Sequence, residues 1–157
     1  MAIDRTDRAI LAELSQDSRL SIRSLAERVH ISRTAAHRRV QNLIATGVLT
    51  GFGAQVDRKA LGLNVVAIVI VKVGEAPWQD AAAALADIPY VESVLAVSGD
   101  IDFVLTVSAP DNEHLSEVIM RQIHGIPGVV STRSHLVLDS RAGTAPGIGR
   151  ADWHESA

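Results

Sequence analysis

Residues 21–46, SIRSLAERVHISRTAAHRRVQNLIAT, constrain the fold more than any other stretch. They predict two short helices joined by a tight turn. Ser21 and Ser32 stand where N-caps belong, and Leu25, Ala26 and Val29 form the buried face of the first helix. Steps of about 100° per residue along the second place Ala36, Val40, Leu43 and Ile44 on one face. Thr34, Arg38, Gln41 and Asn42 fall opposite, with Arg33 at the exposed N-terminus and His37 and Arg39 flanking. A helix before them is capped by Asp4, with Asp7 favouring its N-terminus. Ile10, Leu11 and Leu14 recur at helical spacing, so it runs to about Gln16. Gly47 ends the third helix, and residues 48–57, with Gly51 and Gly53 permitting tight bends, predict a short β-ribbon. Three helices and a ribbon make a winged helix-turn-helix.

The polar face of the last helix carries the side chains that read duplex DNA. Arg pairs with guanine, Asn or Gln pairs with adenine, and the helix amino end at Ser32 favours phosphate. Arg38 is the leading candidate for the groove. Arg39 reads equally as a flank residue that pairs with Glu27, and His37 is a secondary candidate. A solvated amphipathic helix carries similar charges to no purpose. The capped turn, neighbouring helix and ribbon together favour DNA.

Net charge is −3 over 157 residues, which hides an asymmetry. Residues 1–60 hold ten basic and six acidic side chains, a net +4, while residues 61–157 hold five and twelve, a net −7. Only the front half is built to meet phosphate. Hydrophobic residues make up 47% and aromatics 3%, so the core is aliphatic and no stacking platform for single strands exists. With no cysteine, disulfides, thiolate metal sites and cysteine nucleophiles are excluded. The opening MAIDRTDRA is charged from its fourth residue, and the longest apolar run, residues 65–71, is too short to span a bilayer. The expectation is a cytoplasmic protein without a membrane partner.

Beyond residues 57–64, a linker with a short helical turn, the pattern changes. Val65–Val73 reads as a buried strand, and Pro77 opens a helix through Asp87. Residues 91–98 and 101–109 read as strands separated only by Gly99 and Asp100. Asp111 caps a helix to about His124, and residues 129–138 form a last strand. The order βαββαβ is ferredoxin-like, an antiparallel sheet with both helices on one face. The predicted class is therefore α+β. A winged helix-turn-helix (1–56) and linker (57–64) precede an ACT-like ligand-sensing and oligomerisation domain (65–139) and a C-terminal tail (140–157).

The loop Ser98, Gly99, Asp100, Ile101, Asp102 places two carboxylates around a turn. Gly99 can adopt positive φ and offer its amide to a ligand carboxylate, and Asp100 can hold an ammonium group. Those are the complementary halves needed to seize an amino acid. Gly-Asp is also ordinary turn chemistry, and spacing alone favours that plainer reading.

IDRTDRAIL, LAERVHIS, RRVQNL, TGVLTGFGAQVD, SGDIDFVL and GVVSTRSHLVL, in this order and spacing, resemble the Lrp/AsnC (feast/famine) transcription regulators from Ile3 to Leu138. The resemblance implies homodimers joined through regulatory sheets and associating into octamers, a tetramer of dimers. It also implies an amino-acid effector bound between regulatory domains near Gly99, Asp100, Ile101 and Asp102, with Thr132 and Ser134 lining the site, and no cofactor. Two positions depart from the family pattern. Ile101 replaces an aromatic between the two acids, which bears on ligand selectivity. His30 replaces the glycine of the turn, which it tolerates better than a branched residue would.

An enzyme is a poor rival. Asp100, Asp102 and His135 lack a nucleophile–base partner, GTAPGIGR does not follow a strand into a helix, and the six histidines lack metal-site spacing. An amino-acid sensor that has lost DNA binding predicts a degraded recognition face, which this chain does not show. A DNA-organising protein without effector response remains the other alternative.

Overall fold

The computed structural model describes residues 3–75 and 77–141. The C-terminal tail reading and GTAPGIGR fall on 142–157, outside the described residues, apart from the tail's first two positions. The chain divides into two compact units with the boundary between Gln55 and Val56. Among the described residues no helix is long and apolar enough to cross a membrane.

The first unit is three helices, α1 (Arg5–Gln16), α2 (Ile22–Arg28) and α3 (Arg33–Ala45). Each starts at the side chain the sequence supplies. Asp4 accepts from the Asp7 amide at 2.8 Å while the Asp7 carboxylate accepts from the Asp4 amide at 3.2 Å, a reciprocal capping box. Ser21 and Ser32 cap α2 and α3 by accepting from the Ser24 and Ala35 amides. Ile10, Leu14, Leu25, Val40 and Leu43 bury against one another at the centre, with Val48 and Leu49 packed on their edge. Each such burial contributes roughly 1.5–3 kcal/mol.

The turn between α2 and α3 closes as a Schellman motif. The Ile31 amide donates to the Ala26 carbonyl and the His30 amide to Glu27, with His30 left-handed at φ 54°. This is the departure the sequence flagged, and the chain accommodates it. Two other expectations change. Ile44, placed on the buried face, is 42% exposed, because the helices bury only the stripe Ala36, Val40, Leu43 and Ile44 lies to one side of it. Residues 48–57 contain no strand, so the expected ribbon is absent among the described residues. A two-stranded ribbon is marginal unless something packs on it, and Phe52 and Val56 are exposed.

The second unit begins with the linker, which is docked rather than loose. Its helical turn closes with the Leu61 amide donating to Asp57, Arg58 pairs with Glu92, and Asn64 donates to the Pro110 carbonyl. The Arg58 guanidinium holds the Glu92 carboxyl below the usual glutamate range. Then come β1 (Val65–Val73), α4 (Trp78–Ala86), β2 (Val91–Ala96), β3 (Phe103–Ala109), α5 (Asn112–Glu117) running on as a π-helix (Val118–Ile123), and β4 (Val129–Leu136). The strand order is β2-β3-β1-β4, antiparallel throughout, as the ferredoxin-like reading requires. Alternation along β1 buries Ala67, Val69 and Val71 with Leu85, Leu115 and Val118 of the helices. The β2–β3 turn is wider than the predicted two residues: pairing ends at Ala96 and Phe103, and the Val97 amide closes the loop on the Asp102 carbonyl.

Left-handed geometry costs a non-glycine residue about 1–2 kcal/mol. His30→Gly is therefore expected to cost little or to stabilise the first unit, and His30→Val to destabilise it. Urea unfolding of both variants measures the difference.

Candidate functional site

The capped start of α3 and the apolar stripe that docks it leave one face to solvent. Ser32, Arg33, Thr34, His37, Arg38, Gln41 and Asn42 are all exposed. The structure thus brings seven of the eight predicted DNA-contact residues to one continuous surface. Among the described residues neither Arg33 nor Arg38 has an ion-pair partner, whereas Arg23 pairs with Glu27 and Arg28 with Glu13.

Arg39 is the exception. Its guanidinium donates to Asp4 at 2.7 Å and to Asp7 at 2.8 Å, tying α3 to the start of α1. The expected partner Glu27 is instead held by Arg23 at 3.1 Å. Asp7 is 5% exposed, and a carboxylate out of water is costly unless it is paired and hydrogen-bonded. Arg39 therefore holds the recognition helix in place. The Asp4 carboxyl lies below the ordinary aspartate range, mainly because it accepts the Asp7 amide and further because of Arg39.

At one end of the regulatory sheet, the loop of Gly99, Asp100, Ile101 and Asp102 meets the last residues of β1. Gly99 sits at φ 128°, open to substitution sterically but not conformationally. The Asp102 carboxylate accepts the Val73 amide at 2.8 Å and its own amide donates to Val71. Asp102 is thus a pin that shapes the loop. Asp100 is exposed, and its backbone carbonyl accepts from Lys72 Nζ at 3.0 Å. Lys72 puts a cation beside the loop that the sequence reading overlooked; it lies in an otherwise apolar strand and its partner is 28 residues away.

Thr132 lies opposite Val71 on β4 and so reaches the same end of the sheet. Ser134 lies opposite Val69, two residues further from the loop on the same face. His124, not singled out from the sequence, stands 2.5 Å from the Thr132 hydroxyl through Nε2.

With both surfaces defined, comparison with known proteins is direct. Residues 3–50 match the family described as winged helix-turn-helix DNA-binding, and residues 66–145 match the Lrp/AsnC ligand binding domain. The chain belongs to the Lrp/AsnC family. The HTH-type transcriptional regulator Rv2324 of Mycobacterium tuberculosis is 37% identical over 139 residues, which span 88% of this chain and 93% of that one. The crystal structure of the Neisseria meningitidis transcriptional regulator NMB0573 in complex with L-Met aligns with a TM-score of 0.85 at 27% identity, covering 92% of this chain and 95% of that one. E. coli AsnC aligns with a TM-score of 0.84 at 25% identity, over 94% and 99% of the two chains. This Lrp/AsnC protein is a DNA-binding transcriptional regulator with a domain for a small effector, and not an enzyme.

Replacing Arg39 with Ala leaves the buried Asp7 carboxylate with a lost partner, and should destabilise the first unit by about 1–3 kcal/mol. The acid response follows in sign. Because the Asp4 carboxyl is lowered in the folded state, its contribution is complete above the unfolded aspartate value of about 4 and fades as pH falls below it. Thermal unfolding from pH 7 to pH 2 should show wild type and Arg39→Ala converging at the acid end.

Proposed function

We propose that the exposed face of α3 enters the major groove of duplex DNA, with Arg38, Gln41 and Asn42 toward base edges and Ser32, Arg33 and Thr34 toward phosphate. His37 lies on the same face within reach of either. The observation that carries this reading is the pairing pattern. Arg23 pairs with Glu27, Arg28 with Glu13 and Arg39 with Asp4 and Asp7, while Arg33 and Arg38 on this face are left charged and exposed.

The regulatory unit serves a homodimer and, through it, a tetramer of dimers. The sheet face away from the helices supports this: Val66, Ile68, Ile70 and Val104 are only half-buried and Leu95 is 58% exposed, a surface a second copy would cover. A two-fold dimer presents its recognition helices to successive major-groove faces about one helical turn or a multiple apart. The effector is an amino acid held near the Gly99 to Asp102 loop, with Asp100 toward its ammonium group and the Gly99 amide toward its carboxylate. The exposed opposite charges of Asp100 and Lys72 at that loop support a zwitterionic ligand, as does the L-Met complex of the Neisseria relative. Such a ligand changes DNA binding only by as much as its affinity differs between assembly states.

A site selected from random duplex DNA gives the test. Arg38→Ala should weaken binding to it by about 1–3 kcal/mol and relax preference at one base pair; an unchanged affinity and footprint would remove Arg38 from the groove. Asp100→Ala should abolish the amino-acid response of DNA binding while stability stays within about 0.5 kcal/mol. Asp102→Ala, by contrast, should cost about 1–2 kcal/mol of stability through the lost Val73 bond.

A further inference from the structure

Residues 57–64 have the place of a connector but not the bonding of one. The Asp57 carboxylate accepts the Lys59 amide at 2.9 Å. The Leu63 amide donates to the Arg58 carbonyl and the Gly62 amide to the Lys59 carbonyl, both at 2.9 Å, with Gly62 left-handed at φ 79°. That is a Schellman closure, which ends a helical turn with its carbonyls satisfied. Asn64 Nδ2 then donates to the Gly62 carbonyl at 3.1 Å and to the Pro110 carbonyl at 3.2 Å, fastening the turn beyond the end of β3.

A second fastening lies on β2. Arg58 donates from Nε to Glu92 Oε1 at 2.6 Å and from Nη2 to Oε2 at 2.5 Å, a bidentate pair. Glu92 stands at a break in the ladder: Val91 pairs with Val107 and Ser93 with Thr106, which leaves Glu92 without a partner on β3. A bulge of this kind re-aims a side chain. Two residues earlier, Tyr90 is left-handed at φ 72°, and its carbonyl accepts the Ser108 amide at 2.9 Å. A residue with a side chain keeps that conformation only where its surroundings impose it. Bulge and strain thus fall together at the residue that grips the linker.

We propose that Arg58 and Glu92 form a clasp that sets which half-site spacings a dimer accepts on DNA, both acting as positioning residues for the recognition helices. This rests on the DNA-binding and dimer readings given above. Docked, the turn moves with the regulatory unit, so the tether between units ends at Asp57. Released, its eight residues extend by up to about 26–29 Å, against roughly 34 Å between successive major-groove faces. Freed in both copies, that reach exceeds one turn of the duplex. A short tether concentrates the second recognition helix at one matching half-site, and a long one dilutes it over many. Arg58 and Glu92 side chains are 47% and 29% exposed, so either can be replaced without opening the core. Paired with Glu92, Arg58 is also withdrawn from the charge offered to phosphate.

The test uses the full-length protein and duplexes carrying one half-site of a sequence selected from random DNA, or two copies of it. Centre-to-centre spacing is stepped by single base pairs from about one to two helical turns, and fluorescence anisotropy gives each affinity. Wild type should favour one spacing over those roughly five base pairs away, which face the opposite side of the duplex. That preference should fall about three- to fivefold in Arg58→Ala and in Glu92→Gln, the range a half-exposed ion pair supports. The double variant should lose no more than either single one, because the two act as a unit. Affinity for the single half-site should not change. Asn64→Ala, which removes the other fastening, should relax spacing in the same sense. A wild-type spacing profile in both Arg58→Ala and Glu92→Gln would overturn the clasp while sparing the dimer reading. Equal loss at every spacing, the single half-site included, in Arg58→Ala alone would place Arg58 on phosphate and overturn the clasp too. No spacing preference in wild type would overturn the paired recognition helices and the clasp with them.

Discussion

The contact of the Arg39 guanidinium with Asp4 and Asp7 is the constraint on which the recognition surface depends. Those carboxylates already close the capping box of α1, so one cation locks the start of the first helix to the middle of the third. Side-chain exposure of Asp7 is only 7%, which makes the bond expensive to leave unmade. The consequence is orientational. With Arg39 drawn to α1 and Ala36, Val40 and Leu43 in the core, Arg33, Arg38 and Gln41 face solvent on the opposite side. One arginine of the basic helix is structural so that others remain available for phosphate and bases.

An analogous division holds at the loop of the regulatory sheet. Two aspartates two residues apart look equivalent in sequence, yet Asp102 is held by the β1 backbone and Asp100 is left outward. The pinned residue fixes the loop, and the exposed one is the candidate ligand contact. The same economy explains why β1 carries no unpaired edge: β3 and β4 flank it on either side, so both predicted halves of the effector site hang on one strand.

Much of this was legible in the sequence where the governing interaction is local. Asp4, Ser21, Ser32 and Asp111 each accept the amide three residues on, a relation that depends on nothing beyond the helix start. The β1 strand, from its β-branched run, and the βαββαβ order, from the turn and cap residues between segments, were readable because those signals are local too. What failed was non-local. The partner of Arg39 lies 35 and 32 residues away, and a wheel drawn for α3 alone cannot find it. Nor can it say that Ile44 sits beyond the packed stripe. The ribbon at 48–57 was inferred from turn residues, but turns do not supply a surface to pack on. His124 escaped notice because its position depends on π-winding, which has no period to detect.

The central claim is that the unpaired arginines of α3 meet DNA phosphate and bases. The salt dependence of duplex binding tests it most directly. Log affinity against log salt should be linear and steep for the full chain, with a slope of about −0.9 per phosphate neutralised. Removing Arg33 and Arg38 together should make it shallower by about one unit for each arginine that contacts phosphate. A slope identical to that of the native protein would contradict the account and move the DNA-binding surface elsewhere on the molecule.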